Sequence, residues 1–244
     1  MLVREEGAGA LCIGQTSHAW LSGQLARAWG NEAFATPEPW EEVCLGAEQH
    51  DIGMAEWDLT PALDPGRGLP LDFMAMPVEV HAELWRAAPE KLRTQSRYAA
   101  LLCSMHATAL YGRRERTPVV GELLDHHAAV QAGLLESLGE DPYRARRNQR
   151  LLWTWDWLSL SILLEWAPGT QATPTMPGAP DAELRLTAAG QRGFTLDPWP
   201  FAYEEIALRA EGRRLRGPCA TEAELHAALA AAPWETLSVE LRPA

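Results

Sequence analysis

Lysine is almost missing from this chain: Lys91 stands alone beside 20 arginines, and the 21 basic residues are outnumbered by 33 acidic ones. The resulting formal net charge of −12 sets up a long-range field that repels phosphodiester backbones and anionic lipid. A nucleic-acid polymer and a membrane are therefore not expected as partners, and a small-molecule substrate is. Cysteine is scarce as well. Cys12, Cys44, Cys103 and Cys219 are scattered, with no C-x-x-C pair or framework spacing, which excludes a zinc knuckle and a disulfide scaffold and suits free thiols in a reducing compartment. No run approaches the roughly 18 apolar residues of a membrane span, and the opening MLVREEGAGALCIG lacks the sustained apolar stretch of a signal peptide. The cytoplasm is the expected location.

What remains is ordinary globular composition, 47% hydrophobic and 22% charged, enough to bury a substantial core. Residues 1–15 read as a strand-like lead-in. Helical periodicity then begins at TSHAWLSGQLARAWG, with Thr16 or Ser17 as a cap and Gly30 as a stop. A second helix runs through PEPWEEVCLGAEQHD, with Glu41 and Glu42 in its first turn. A Pro- and Gly-rich loop, Leu59 to Pro77, separates it from a third, short helix in PVEVHAELWRAA and a fourth in SRYAALLCSMHATALYG. Thr117-Pro118 and Asp141-Pro142 open a fifth and a sixth helix, the latter ending near Trp166.

After that the character changes. APGTQATPTMPGAP reads as a connector over 167–180, and AELRLTA, GFTLDPWPF, EIALRAEGRRLR and ETLSVELRP read as short strands around one helix, TEAELHAALAAA. The expected organisation is a helical body over 1–166, the connector, and a small α+β element over 181–244 packed on the body. The expected fold class is mainly α.

Six ionisable residues stand on the apolar stripes of these helices. His18 repeats with Leu21, Leu25 and Ala28, and His50 with Val43 and Ala47; His81 repeats with Val78, His106 with Ala99 and Leu102, and Asp156 with Leu152, Ser159 and Leu163. Asp51 follows His50 directly. A single inward histidine is usually a satisfied core residue. Several imidazoles and carboxylates together form the ligand mix favoured by iron, manganese, zinc or nickel, and one or two such divalent ions would offset the cost of burying them. The cluster Asp125-His126-His127 has neighbours pointing in different directions and reads as a solvated helix face, and His226 reads as surface.

The order His18, His50-Asp51, Asp156 resembles the HD-domain superfamily of metal-dependent phosphohydrolases, an all-helical, HD-domain-like bundle, and His81 and His106 stand where its two-metal members place two further histidines. The resemblance implies one ion on His18, His50, Asp51 and Asp156, and a second on His81 and His106, with Asp51 bridging as the catalytic carboxylate. Implied with it is hydrolysis of a small phosphorylated or nucleotide-like substrate; the alternatives within the same resemblance are a diiron oxygenase and a non-catalytic, metal-binding or ligand-sensing protein. HDIGMAEW lacks the lysine that often follows the His-Asp pair there, so Arg67, Arg97 and Arg113 become the candidates for phosphate charge. Over a longer span, SHAWLSGQLARAWG, HDIGMAEWD, LDPGRGLPLDF, YAALLCSMHATALY, WDWLSL and LDPWPF resemble the bacterial domain-of-unknown-function family 3891, whose name implies no activity.

Overall fold

A computed structural model describes residues 1–190 and 192–244. The chain runs β1 (Leu2–Glu6), β2 (Gly9–Ile13), α1 (Gln15–Ala28), α2 (Trp40–Gln49), β3 (Leu63–Asp64), β4 (Leu69–Pro70), α3 (Val78–Arg93), α4 (Arg97–Tyr111), α5 (Pro118–Leu138), α6 (Pro142–Leu163), β5 (Gly169–Thr173), β6 (Ala182–Ala188), β7 (Gly193–Asp197), β8 (Ile206–Leu215), α7 (Glu222–Ala231) and β9 (Trp234–Pro243). Seven strands form one sheet in the order β1-β2-β8-β9-β7-β6-β5, and β3 pairs with β4 separately. Within the large sheet β7 and β9 are parallel, and the other neighbours are antiparallel.

This sheet overturns the mainly α, HD-domain-like bundle with a small C-terminal β element. Its β1 and β2 come from the N-terminus, and β2 pairs Ala10 with Leu215 and Ile13 with Gly212, so strands from both ends of the chain build one layer. The expectation failed for physical reasons. All five residues of β2 are buried, so it shows no alternation that would announce a strand, and its partner lies some two hundred residues downstream. The strand β5 lies inside the segment read as a connector. By contrast, β8 buries alternate residues from Ile206 to Gly212 and β9 from Leu237 to Leu241, the period-two pattern that a one-sided sheet imposes.

Helix boundaries follow local chemistry. Ser96, Thr117, Asp141 and Thr221 accept backbone N–H groups at the starts of α4, α5, α6 and α7, satisfying donors that have no partner within the helix. Gly139 closes α5 in the left-handed region at φ 60°. Neither Thr16 nor Ser17 caps α1: its first N–H, on Gln15, is taken by Asp58 Oδ2. α3 runs past Pro89 to Arg93, beyond the end expected at Ala88, because Ala88 and Leu92 are both buried in the core it shares with α4 and α5.

α1 is the seam between helices and sheet. Where β2 ends, β8 continues, and α1 side chains take over its exposed backbone: Glu211 N–H donates to Ser17 Oγ at 2.7 Å, and Gln24 exchanges hydrogen bonds with Arg209 N and O at 3.0 and 2.7 Å. Leu21, Leu25, Trp155 and Leu158 then share a core with Leu186, Leu196, Leu208 and Leu241 of the sheet. On the other flank, the turn after His50-Asp51 lies so close to α3 that a Cβ on Gly53 would stand 2.4 Å from Leu84 O, a contact that only glycine permits. No helix among the described residues is long and apolar enough to cross a membrane.

Candidate metal centre

Four helices bring five of the six expected residues to one point. His18 sits one turn into α1, His50 caps the end of α2 with Asp51 beside it, and His106 and Asp156 project from the middles of α4 and α6. All five are buried, none more than 7% exposed. His18 Nε2 lies 3.3 Å from Asp51 Oδ2 and 3.2 Å from Asp156 Oδ1; His50 Nε2 lies 3.6 and 3.5 Å from the same two oxygens; His106 Nε2 lies 3.5 Å from Asp156 Oδ2.

Hydrogen bonds behind the rings decide which nitrogens face inward. His50 Nδ1 lies 2.8 Å from the Ala47 carbonyl, which can only accept, so Nδ1 carries the proton and neutral His50 presents a bare Nε2. That buried Nε2 has no hydrogen-bond partner. Ser159 donates to Asp156 O at 2.8 Å and receives a hydrogen bond from Ser22 Oγ at 2.9 Å; its Oγ lies 2.6 Å from His18 Nδ1. With the Ser159 proton directed at Asp156 O, His18 Nδ1–H donates to Ser159, and His18 Nε2 is bare as well. Two imidazole lone pairs and two carboxylates therefore converge on each other, acceptors facing acceptors.

Such a set is stable only around a positive charge. In the protein alone, protons fill that need. Burial, the largest single influence, favours neutral His18, but Asp156 and Asp51 outweigh it and raise His18 to about 9. His50 moves up under the same opposition of burial against Asp51 and Asp156. Burial pushes both carboxyls up while the histidines pull them further down, and both end below the usual carboxylate range. His106, buried with less compensation, is pushed down to about 4.

A divalent cation fits the same demand. Ligands about 2.1 Å from an ion lie about 3.0–3.4 Å from one another around an octahedral or tetrahedral shell, close to the 3.2–3.6 Å observed and longer than an ordinary charge-assisted hydrogen bond. Two groups, His18–His50–Asp51 and His50–His106–Asp156, could each hold a metal ion.

His81 lines the same pocket but both its nitrogens are taken. The Trp85 indole N–H donates to His81 Nε2 at 3.1 Å, so the ring proton sits on Nδ1 and is given to Tyr111 Oη at 2.7 Å. Burial pushes His81 down to about 4. The pocket, about 150 Å³, is also walled by Phe73, Leu110 and Leu160 and edged by Met74 and Arg114.

The arginines expected to meet phosphate lie elsewhere. Arg67 pairs with Asp64 and Glu5, Arg97 donates to Ser137 O, and Arg113 stacks over Trp153 at 5.1 Å. Arg114 is the arginine in the pocket. No sequence signal separates it from Arg113, because their directions are set by how the chain leaves α4. Asp58, Asp64 and Asp72 hold backbone groups of α1, the long loop and β1. His226 is half-buried against Pro61 O. His127 is fully buried rather than solvated, 2.9 Å from Ser104 Oγ.

A larger cleft of about 500 Å³ lies between the end of α6 and the sheet, bordered by Arg4, Glu165, Phe194 and Val239, and holds no group of metal-ligating side chains among the described residues. No curated protein and no solved structure matches the chain. The family match found carries no HD-domain assignment. It is to the family described as "Protein of unknown function (DUF3891)" over residues 1–217, and the chain belongs to that family.

Proposed function

We propose that this protein is a metal-dependent hydrolase of a small phosphorylated substrate, with His18, His50, Asp51, His106 and Asp156 holding one divalent transition metal ion. One observation carries the reading: the hydrogen bonds from His18 and His50 Nδ1 turn bare Nε2 atoms toward two ionised, buried carboxylates. The imidazole–carboxylate set accepts iron, manganese, zinc or nickel. When bound, such an ion polarises a phosphoryl oxygen and brings the acidity of water close to neutral pH.

The chain's own groups do the rest. Asp51 turns Oδ2 to the imidazoles; its Oδ1 accepts no hydrogen bond from the described residues and is free to orient water and take its proton. Phe73, Leu110 and Leu160 keep the pocket wall apolar, strengthening electrostatic interactions inside it. One ion is favoured over two because both ligand groups draw on the single free nitrogen of His50, its Nε2, and His81 Nε2 is already engaged by Trp85. The two-ion set that the HD-domain resemblance implies, for hydrolysis or for dioxygen chemistry, draws on that same histidine.

The test is elemental analysis of protein purified without added metal, together with turnover of a chromogenic phosphate monoester. Wild type retains about one equivalent, held by protein ligands that leave a coordination position open for water or substrate, and Asp51→Asn abolishes turnover while remaining folded. Folded wild type that takes up none of the four metals in equilibrium dialysis overturns the reading.

A further inference from the structure

We infer that Arg114 and Gln15 form an anion-binding subsite that grips the terminal phosphoryl group of the substrate; this rests on the metal-site reading above and names the group that site takes. Both residues line the pocket with Asp51, His106 and Asp156. Arg114 makes no side-chain hydrogen bond or ion pair among the described residues, whereas Arg67, Arg116 and Arg144 are all paired with carboxylates. A cation at the mouth of a pocket whose floor holds two carboxylates, yet bonded to neither, is available to an incoming anion.

Its position is fixed from behind. The guanidinium carbon lies 5.0 Å from the Tyr111 ring centroid, in cation–π range. Tyr111 is held by His81, and His81 by Trp85. The Trp85–His81–Tyr111 chain thus forms a platform for Arg114, and His81 serves it as a positioning residue.

Gln15 is independent support. It is 3% exposed, and its Oε1 is buried without a hydrogen-bond partner; its Nε2 donates to no described residue either. Its Nε2 is the end that donates to an anion, and its Oε1, an acceptor costly to leave unpaired, is completed by the P–OH of a singly protonated phosphoryl group. A phosphoryl oxygen accepts from both Gln15 and Arg114.

Size narrows the class. A pocket of about 150 Å³, the volume of a cavity that binds benzene, has room for a phosphoryl group, while anything much larger extends beyond its rim. The substrate is a phosphate monoester presented end-on, its organic part resting at the rim on Met74, which is 60% exposed.

The experiment is calorimetric titration of inorganic phosphate into wild type, Arg114→Gln and Arg116→Gln, each metal-free and loaded with manganese. Arg114→Gln is expected to weaken phosphate binding about tenfold to a hundredfold, the worth of a charge-assisted hydrogen bond, and Arg116→Gln, with the same loss of charge, to leave it unchanged. Equal weakening by both variants, no weakening by Arg114→Gln, or no phosphate binding by wild type in either form overturns the subsite. Failure to take up manganese, and iron, zinc and nickel in its place, overturns the metal reading alone, since the metal-free arm still decides the role of Arg114.

Discussion

Two buried histidine groups in this molecule reach opposite electrostatic solutions. Around His127, Ser104 Oγ lies 2.9 Å from Nδ1, and Gln131 Nε2 donates to Ser104 O and Thr108 Oγ1 at 3.1 and 2.7 Å; no carboxylate takes part. Around His18 and His50, the same kind of backing by a hydroxyl or a carbonyl is present, but Asp51 and Asp156 close the other side. Burial pushes His127 down to about 4 and would do the same to His18, which the carboxylates instead lift to about 9. A buried imidazole is a core residue or a cation-seeking one according to what faces its second nitrogen.

The largest expected effect comes from breaking the neutral group. With an unfolded value near 6.5, His127 binds a proton in the unfolded chain before it does in the folded one, so its contribution to stability is present above about 6.5 and lost as pH falls toward about 4. The loss is on the order of 3 kcal/mol at most. Urea denaturation across that window should show His127→Gln losing less stability with acid than wild type does; parallel curves would mean that His127 titrates normally. Metal-free His18 has the opposite sign. Its folded value is raised, so its contribution is full below about 6.5 and disappears as pH rises through about 9.

A smaller effect sharpens the same contrast, because each group contains a serine in the same relation to its histidine. Ser159→Ala removes the acceptor for His18 Nδ1–H and frees the ring to change tautomer, which is expected to lower metal affinity about 10- to 100-fold. Ser104→Ala deletes the equivalent hydroxyl beside His127 and should leave metal affinity as it is. Competition with a chromogenic chelator measures both, and equal affinities for the two variants would deny Ser159 any part in orienting His18.

One side of this contrast was legible in local pattern, and the other depended on distant packing. Polar residues on an apolar 3.6-residue stripe must face inward, and His18, His50, His81, His106 and Asp156 are all buried. The same logic misjudged His127, since α5 is flanked closely enough for one of two adjacent histidines to be enclosed while His126 stays half-exposed. Periodicity carries no information about partners, so neither the Trp85 bond that occupies His81 nor the choice of Arg114 over Arg113 could be read from spacing. Nor could the sheet: β8 and β9 announce themselves by alternation, but that β2 completes their layer depends on a pairing across almost the whole chain.

His81 is where pattern and geometry part most sharply, and it gives the smallest expected effect. Its place in the chain resembles that of a ligand to a second ion, while its Nε2 accepts from Trp85 and its Nδ1–H donates to Tyr111. To bind an ion through Nε2, His81 would have to release the indole N–H inside a closed wall, leaving a buried donor unpaired at a cost of about 1–3 kcal/mol. His81→Gln is therefore expected to leave metal stoichiometry unchanged and its affinity within about threefold, an energy difference below about 1 kcal/mol. A fall of one equivalent on this substitution, measured by elemental analysis at matched protein concentration, would establish a second ion held by His81 and would make its engagement with Trp85 a metal-free arrangement.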